Sequence, residues 1–169
     1  MSGVAVRALA LAEAPAILAL HTAAASAGGG LAREPNEMAL DYIEAAIIKS
    51  LASGVALGAW AGATMAGEIH ASRMGPRQFC HNLTDLTVAV HPDFQGRGIG
   101  AALFEALFAA AATLTPKVER IELMCREGNL GALRLYQRLG FAIEGRFRRR
   151  VRLSDGTVED DLAMAKVLL

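Results

Sequence analysis

The segment Val-Ala-Val-His-Pro-Asp-Phe-Gln-Gly-Arg-Gly-Ile-Gly-Ala-Ala-Leu, residues 88–103, constrains the fold most. Its first residues read as the end of a strand, halted at His91 and Pro92. A short loop follows, and Gly96, Gly98 and Gly100 then open a helix. Such a corner gathers backbone N–H groups that have no intrahelical partner, and the helix dipole adds partial positive charge. That combination suits a phosphate or pyrophosphate. Gln95 and Arg97 bring two more donors to the same point. A glycine turn that only closes a corner is the plainer alternative, and the interleaved Gln and Arg exceed what it requires.

The rest of the chain supplies elements on either side of this corner. Residues 4–9 alternate as a strand, and 13–26 and 37–52 have helical spacing. Residues 55–61 and 64–72 form two strands joined by a turn at Gly62, and 82–90 form the strand that enters the corner. A helix over 98–114 is punctuated by Pro116. A strand at 120–125, a helix at 130–139 with Asn129 as N-cap and Gly140 beyond its end, and strands at 141–147 and 162–167 complete the order β α α β β β α β α β β. No internal repeat or second core interrupts it. The expected fold class is α/β (α+β): one layer of mixed sheet with helices on both faces, in a single domain over residues 1–169.

Composition narrows the function classes. The chain has 53% hydrophobic residues, too apolar for a disordered chain. Lys plus Arg number 17 and Asp plus Glu number 17, so the basic excess typical of a nucleic-acid or anionic-membrane binder is lacking. Residues 14–32 carry no charge, but Glu13, Pro15 and His21 interrupt any leader-like apolar core; a soluble helix with a small-residue face is expected, in a cytoplasmic protein. Cys80 and Cys125 have no CxxC or zinc spacing and are expected as reduced thiols. His21, His70, His81 and His91 show no metal spacing, so no metal is expected, and His91 before Pro92 reads as a turn residue.

Three ligands compete for the glycine corner. A Walker loop fails because no Gly-Lys-Ser/Thr follows. A dinucleotide site fits loosely through Gly96, Gly98 and Ala101, with Glu119 downstream, but the loop does not come directly off the strand, and too little chain follows it. The third is coenzyme A. QGRGIG, Gln95 to Gly100, resembles the Q/R-x-x-G-x-G/A motif of the GCN5-related N-acetyltransferase (GNAT) family, and VAVHPDF resembles its lead-in. NLGALRLYQRLGF, Asn129 to Phe141, is similar to that family's second signature. The end of the chain loosely resembles the small-molecule and amino-acid N-acetyltransferase subgroup.

The resemblance implies a mostly antiparallel central sheet splayed between the fourth and fifth strands. It implies that the backbone around Gln95, Gly96, Arg97, Gly98, Ile99, Gly100 and Ala101 holds the pyrophosphate of acetyl-CoA. The pantetheine arm then lies in the splay along Val88, Ala89 and Val90, with an N–H near Val88 as oxyanion donor. Asn129, Ala132 and Tyr136 share a helix face at i, i+3 and i+7, and the family places this tyrosine near the sulfur as general acid. Its plainer role is packing against Leu133 and Leu139. For the base, Asp85 is the first choice, with strand hydrogen bonding as its plainer role. Glu68, His70 or a water are the alternatives, although Glu68 and His70 are rather expected on an exposed strand face. The acceptor is expected to be a small-molecule primary amine attacking directly in a ternary complex. A protein N-terminus or lysine, or an acyl-CoA-binding module without catalysis, is the alternative, and the family allows a homodimer through the last strands.

Three further features invite a role. Cys125 is expected as a packed thiol rather than a nucleophile. Arg146, Arg148, Arg149, Arg150 and Arg152 are expected on an exposed strand, balanced by Glu159, Asp160 and Asp161, with one or two free to meet a substrate carboxylate. The glycine run at residues 28–30 ends a helix in a mobile loop, and residues 28–35 are expected to act as a lid over the acceptor.

Overall fold

The structure, a computed structural model, describes residues 3–28 and 30–168. Gly29, in the glycine run, lies outside them. Seven strands form one sheet: β1 Val4–Ala8, β2 Val55–Ala61, β3 Thr64–Arg73, β4 Asn82–Val90, β5 Arg120–Arg126, β6 Ala142–Arg152 and β7 Val158–Val167. Four helices accompany them: α1 Ala14–Ser26, α2 Leu40–Ser53, α3 Ile99–Ala111 and α4 Leu130–Arg138. The spatial strand order is β1-β2-β3-β4-β5-β7-β6. All pairs are antiparallel except β4 with β5.

Two apolar clusters put helices on both faces. Ile17 and Leu20 of α1 and Ile43 and Ile47 of α2 pack over Ala56, Met65 and Ala89. On the other face Leu103, Phe104 and Leu107 of α3 pack over Leu57, Ile69, Leu83 and Ile121, and Tyr136 of α4 joins them. The alternation of β3 and β4 divides their side chains between these faces. Gly100 carries no side chain where α4 approaches; a Cβ there would lie 3.2 Å from Leu135 Cδ2.

The element order is as expected, but several ends move. A 3₁₀ turn at Leu11–Glu13 precedes α1, and another at Pro35–Glu37 precedes α2, which therefore begins at Leu40. The helix expected over 98–114 is shorter, ending at Ala111. The largest change is in the last two strands. β6 continues through the arginine run to Arg152, and β7 begins at Val158 rather than near residue 162. Cross-strand charge pairs sustain this extension: Arg146 meets Asp160 at 2.9 Å, and Arg150 approaches Asp161 at 3.8 Å. The pairing register shifts between Phe147 and Val151. Within that bulge Arg149 takes φ +54, and its N–H donates to Asp160 Oδ1 at 2.8 Å.

Candidate active site

The site begins where β4 and β5 part. They pair only at Asn82 with Arg120 and Leu83 with Ile121. Beyond Leu83, among the described residues, β4 keeps β3 on one side and pairs with no strand on the other. The free groups follow from backbone alternation: His91 N–H donates to Ala66 O on β3 at 2.9 Å, so Ala89 and Thr87 also face β3. The N–H and C=O groups of Val88 and Val90 therefore point into the gap.

At the gap's end the chain makes a 3₁₀ turn, Pro92–Phe94, stabilised by His91 Nδ1 accepting from Asp93 N–H. His91 is thus the turn residue expected. Gly96 and Gly98 both take left-handed φ, +73 and +79, a conformation that costs other residues appreciably. Gly98 is the N-cap of α3, offers no side-chain cap, and accepts the first helical bond from Ala102 N–H. The amides of Ile99, Gly100 and Ala101 consequently lack helical partners. Gln95, Gly96, Arg97 and Gly98 are exposed, with Arg97 stacked 5.2 Å from the Phe94 ring centre.

Across the gap, Asn129 is the N-cap of α4, and its Oδ1 accepts from the Ala132 N–H at 3.2 Å. Its amide nitrogen faces Gly30, where a Cβ would sit 2.2 Å from Nδ2. About two turns on, Tyr136 is buried with its ring 5.5 Å from that of Phe104 and 6.0 Å from that of Phe141, rather than against leucines alone. Burial pushes the Tyr136 phenol well above its ordinary value, and the neighbouring Cys125 adds to this. Burial likewise raises the Cys125 thiol, to about 11, with the Asp161 charge adding and Arg126 opposing. Cys125 is therefore a packed thiol at neutral pH.

A cleft of about 970 Å³ runs along the gap, with Val88 and Tyr136 in its wall. Residues 30–35 and 151–155 also line it. Its charged lining includes Asp85, Arg120, Glu122, Arg126, Glu144 and Asp161. Arg120 bridges Glu122 and Glu144, and Arg126 meets Glu159 at 3.2 Å. Burial raises the Asp161 carboxyl against the pull of Arg150 and Arg126.

Asp85 stands in this wall, outside regular strand geometry. Its φ is +51, and the β3–β4 register shifts between His70 and Ser72 at this point. Its Oδ2 accepts from Lys49 Nζ of α2 at 2.5 Å. Glu68 and His70 require a correction. They are not on an exposed face: α1 covers this part of β3, and they are 0% and 4% exposed. Glu68 Oε1 bonds His70 Nδ1 at 2.7 Å, and Oε2 bonds His21 Nε2 at 2.9 Å. Burial alone would raise the Glu68 carboxyl; the His70 charge and hydrogen bonds from both rings outweigh it and bring it down to about 2. Burial lowers His70, but the Glu68 charge and hydrogen bond, with Asp85 further off, raise it overall. Nothing local in the sequence marks His21 for this role, because its contact with Glu68 spans 47 positions.

Among the described residues no cluster of His, Cys, Asp or Glu could hold a metal ion. No helix there is long and apolar enough to cross a membrane.

Known proteins are similar to this chain in sequence or in fold. The spermine/spermidine N(1)-acetyltransferase of Bacillus subtilis (strain 168) is 44% identical over 52 residues, 31% of this chain; the match spans about a third (34%) of that curated relative's length. The GNAT-family acetyltransferase from Streptococcus pneumoniae superposes with a TM-score of 0.86 at 21% identity, over 98% of this chain and 99% of that one. The yncA structure from Salmonella typhimurium, solved with its cofactor acetyl-CoA, superposes with a TM-score of 0.85 at 19% identity, over 99% and 95%. At such identities these structures show a shared fold. A model described as the acetyltransferase (GNAT) family matches residues 17–141, taking in both the glycine corner and the Asn129–Phe141 segment; the chain belongs to that family.

Proposed function

We propose that the protein transfers acetyl from acetyl-CoA to a primary amine of a small molecule, an amino acid or related amine, by direct attack within a ternary complex. The observation that carries this reading is the gap between β4 and β5 opening into a cleft of about 970 Å³ with Tyr136 in its wall. That volume is of the order that holds a small molecule. Its walls carry both acidic and basic groups, which suits a polar amine. The partial likeness to a polyamine acetyltransferase supports amine acylation more generally.

The residues present fit a CoA thioester. The uncapped amides from Ile99 to Ala101 and the exposed Gln95 and Arg97 suit a diphosphate, and the free edge at Val88 and Val90 suits an amide-bearing arm. Ala89 lies between these two, with its own backbone turned to β3. Bound there, acetyl-CoA supplies the activated acyl group. The Val88 N–H is our oxyanion donor. Asp85, in the cleft wall, draws the ammonium and takes its first proton. Tyr136 donates its phenolic proton to the departing thiolate and is restored by the second proton that the amine nitrogen loses. Asn129 acts by capping α4, with Ala132 leaving room beside it, so that Tyr136 is held in place.

An acceptor panel read by thiol release tests this. Free amino acids, diamines and polyamines, peptides with free N-termini and lysine peptides are offered at equal concentration with acetyl-CoA. Turnover concentrated in the small molecules is expected. Turnover concentrated in peptides would replace the acceptor class; CoA binding without any turnover would indicate a binding module.

A further inference from the structure

The mechanism leaves unused the most unusual polar feature of the interior. His21, Glu68 and His70 are all at least 96% buried, among Ile17, Leu20, Ala56 and Ala89. The two imidazoles lie on either side of one carboxylate, ring centres 6.3 Å apart and nearly parallel. For stability alone, apolar side chains of similar volume would serve at least as well, because removing such groups from water is costly. The array is also fully ordered chemically. A carboxylate accepts and does not donate, so each ring presents an N–H to Glu68. A neutral His70 therefore has its hydrogen on Nδ1 and a lone pair on Nε2. Neither outer ring nitrogen belongs to the buried polar atoms left without a partner, which are Trp60 Nε1, Arg73 Nη1 and Asn82 Oδ1.

Position links the array to the reaction. His70 is directly opposite Thr87 in the β3–β4 register, and Thr87 lines the cleft with Asp85. Asp85 itself is engaged by Lys49.

We propose that His70 Nε2 is the destination of the acceptor's first proton, passed from the cleft wall at Asp85 and Thr87 through solvent, with Glu68 and His21 as positioning residues. This rests on the acetyl-transfer reading above. In the step, the ammonium N–H bond breaks and its electron pair stays on nitrogen, free to attack the thioester carbonyl. The proton forms a new bond to the His70 Nε2 lone pair. The imidazolium charge faces the Glu68 carboxylate and is discharged to solvent before the next turnover. Glu68 fixes the tautomer, and His21 occupies its second oxygen so that the carboxylate cannot rotate away. The charged or titratable groups facing His70 are Glu68 on its own strand, His21 from α1, and Asp85 of β4 with Lys49 of α2 behind it. The opposing residues Ala56 and Gly58 of β2, and Thr87 and Ala89 of β4, carry no charge.

The test is the pH dependence of kcat/KM for the acceptor in wild type, His70→Gln, Glu68→Gln and Asp85→Asn, with an NMR titration of labelled histidine in the wild-type protein. The wild-type rate is expected to rise with pH along the His70 titration. His70→Gln should lose that limb and at least tenfold in rate, with KM for acetyl-CoA within twofold. Glu68→Gln removes the charge that raises His70, so both the limb and the His70 titration should move to lower pH, with at least a tenfold loss. A folded His70→Gln with the wild-type profile overturns the proposal, and Asp85→Asn still losing rate in that case leaves the acetyl-transfer reading standing. Should the variants not fold, a wild-type rate limb that does not coincide with the His70 titration overturns the relay. No acetyl transfer by the wild type to any acceptor overturns both.

Discussion

Replacing Tyr136 by phenylalanine separates chemistry from architecture. The ring is held by Phe104 and Phe141, with centres 5.5 and 6.0 Å away, and phenylalanine keeps both contacts. Tyr136 lines the cleft, and phenylalanine differs from it only by the hydroxyl. Its loss should therefore change stability by no more than about 1 kcal/mol. For a chain of this size that corresponds to about 2–4 °C in melting temperature. The catalytic effect should be far larger. A positioned general acid contributes about 10²–10⁴-fold, or about 3–5 kcal/mol of barrier. Burial keeps the phenol protonated well past neutrality, so the loss should be uniform across pH 6–9 rather than confined to one limb. Steady-state kcat by thiol release, calorimetric CoA affinity and thermal melting together decide the matter. A kcat within threefold of wild type would refute the general-acid role. A fall in kcat matched by lost CoA affinity or a large drop in melting temperature would refute the premise that only the hydroxyl matters.

Other consequences concern charge and packing. The lowered Glu68 carboxyl contributes stability that is present above its ordinary value of 4.5 and is lost as pH falls toward about 2. The raised His70 contributes stability that is present below 6.5 and is lost as pH rises through its folded value. Urea midpoints should therefore peak between those limits, and Glu68→Gln should flatten both flanks; an unchanged profile in that variant would contradict the coupling. Asp85→Asn removes an ion pair whose side chains are 61% and 51% exposed, so it should cost under about 1 kcal/mol in denaturation while lowering kcat at least tenfold. Gly54→Ala would put a Cβ 2.0 Å from Ala71 O, and chemical denaturation should show about 1–3 kcal/mol of destabilisation or more. Native alkylation at neutral pH followed by mass mapping should leave Cys125 unmodified, since it is buried and raised to about 11.

What the chain alone determined is local. Strand periodicity, the glycines that open α3, and Asn129 with Gly140 around α4 act over a few residues, so the element order, the glycine-rich corner before α3 and the helix that carries Tyr136 were legible. Tertiary structure decided the rest, because it depends on what covers a residue and what crosses to it. Period-2 alternation placed Glu68 and His70 on one face of β3, but only the packing of α1 buried that face and brought in His21 from 47 positions away. The charge pattern pointed to an exposed strand for Arg146 to Arg152 with acidic residues opposite, but which arginine meets which carboxylate is decided by the β6–β7 register. The left-handed turn at Asp85 arises from a register shift between two strands, and a register is a property of the pair rather than of either sequence.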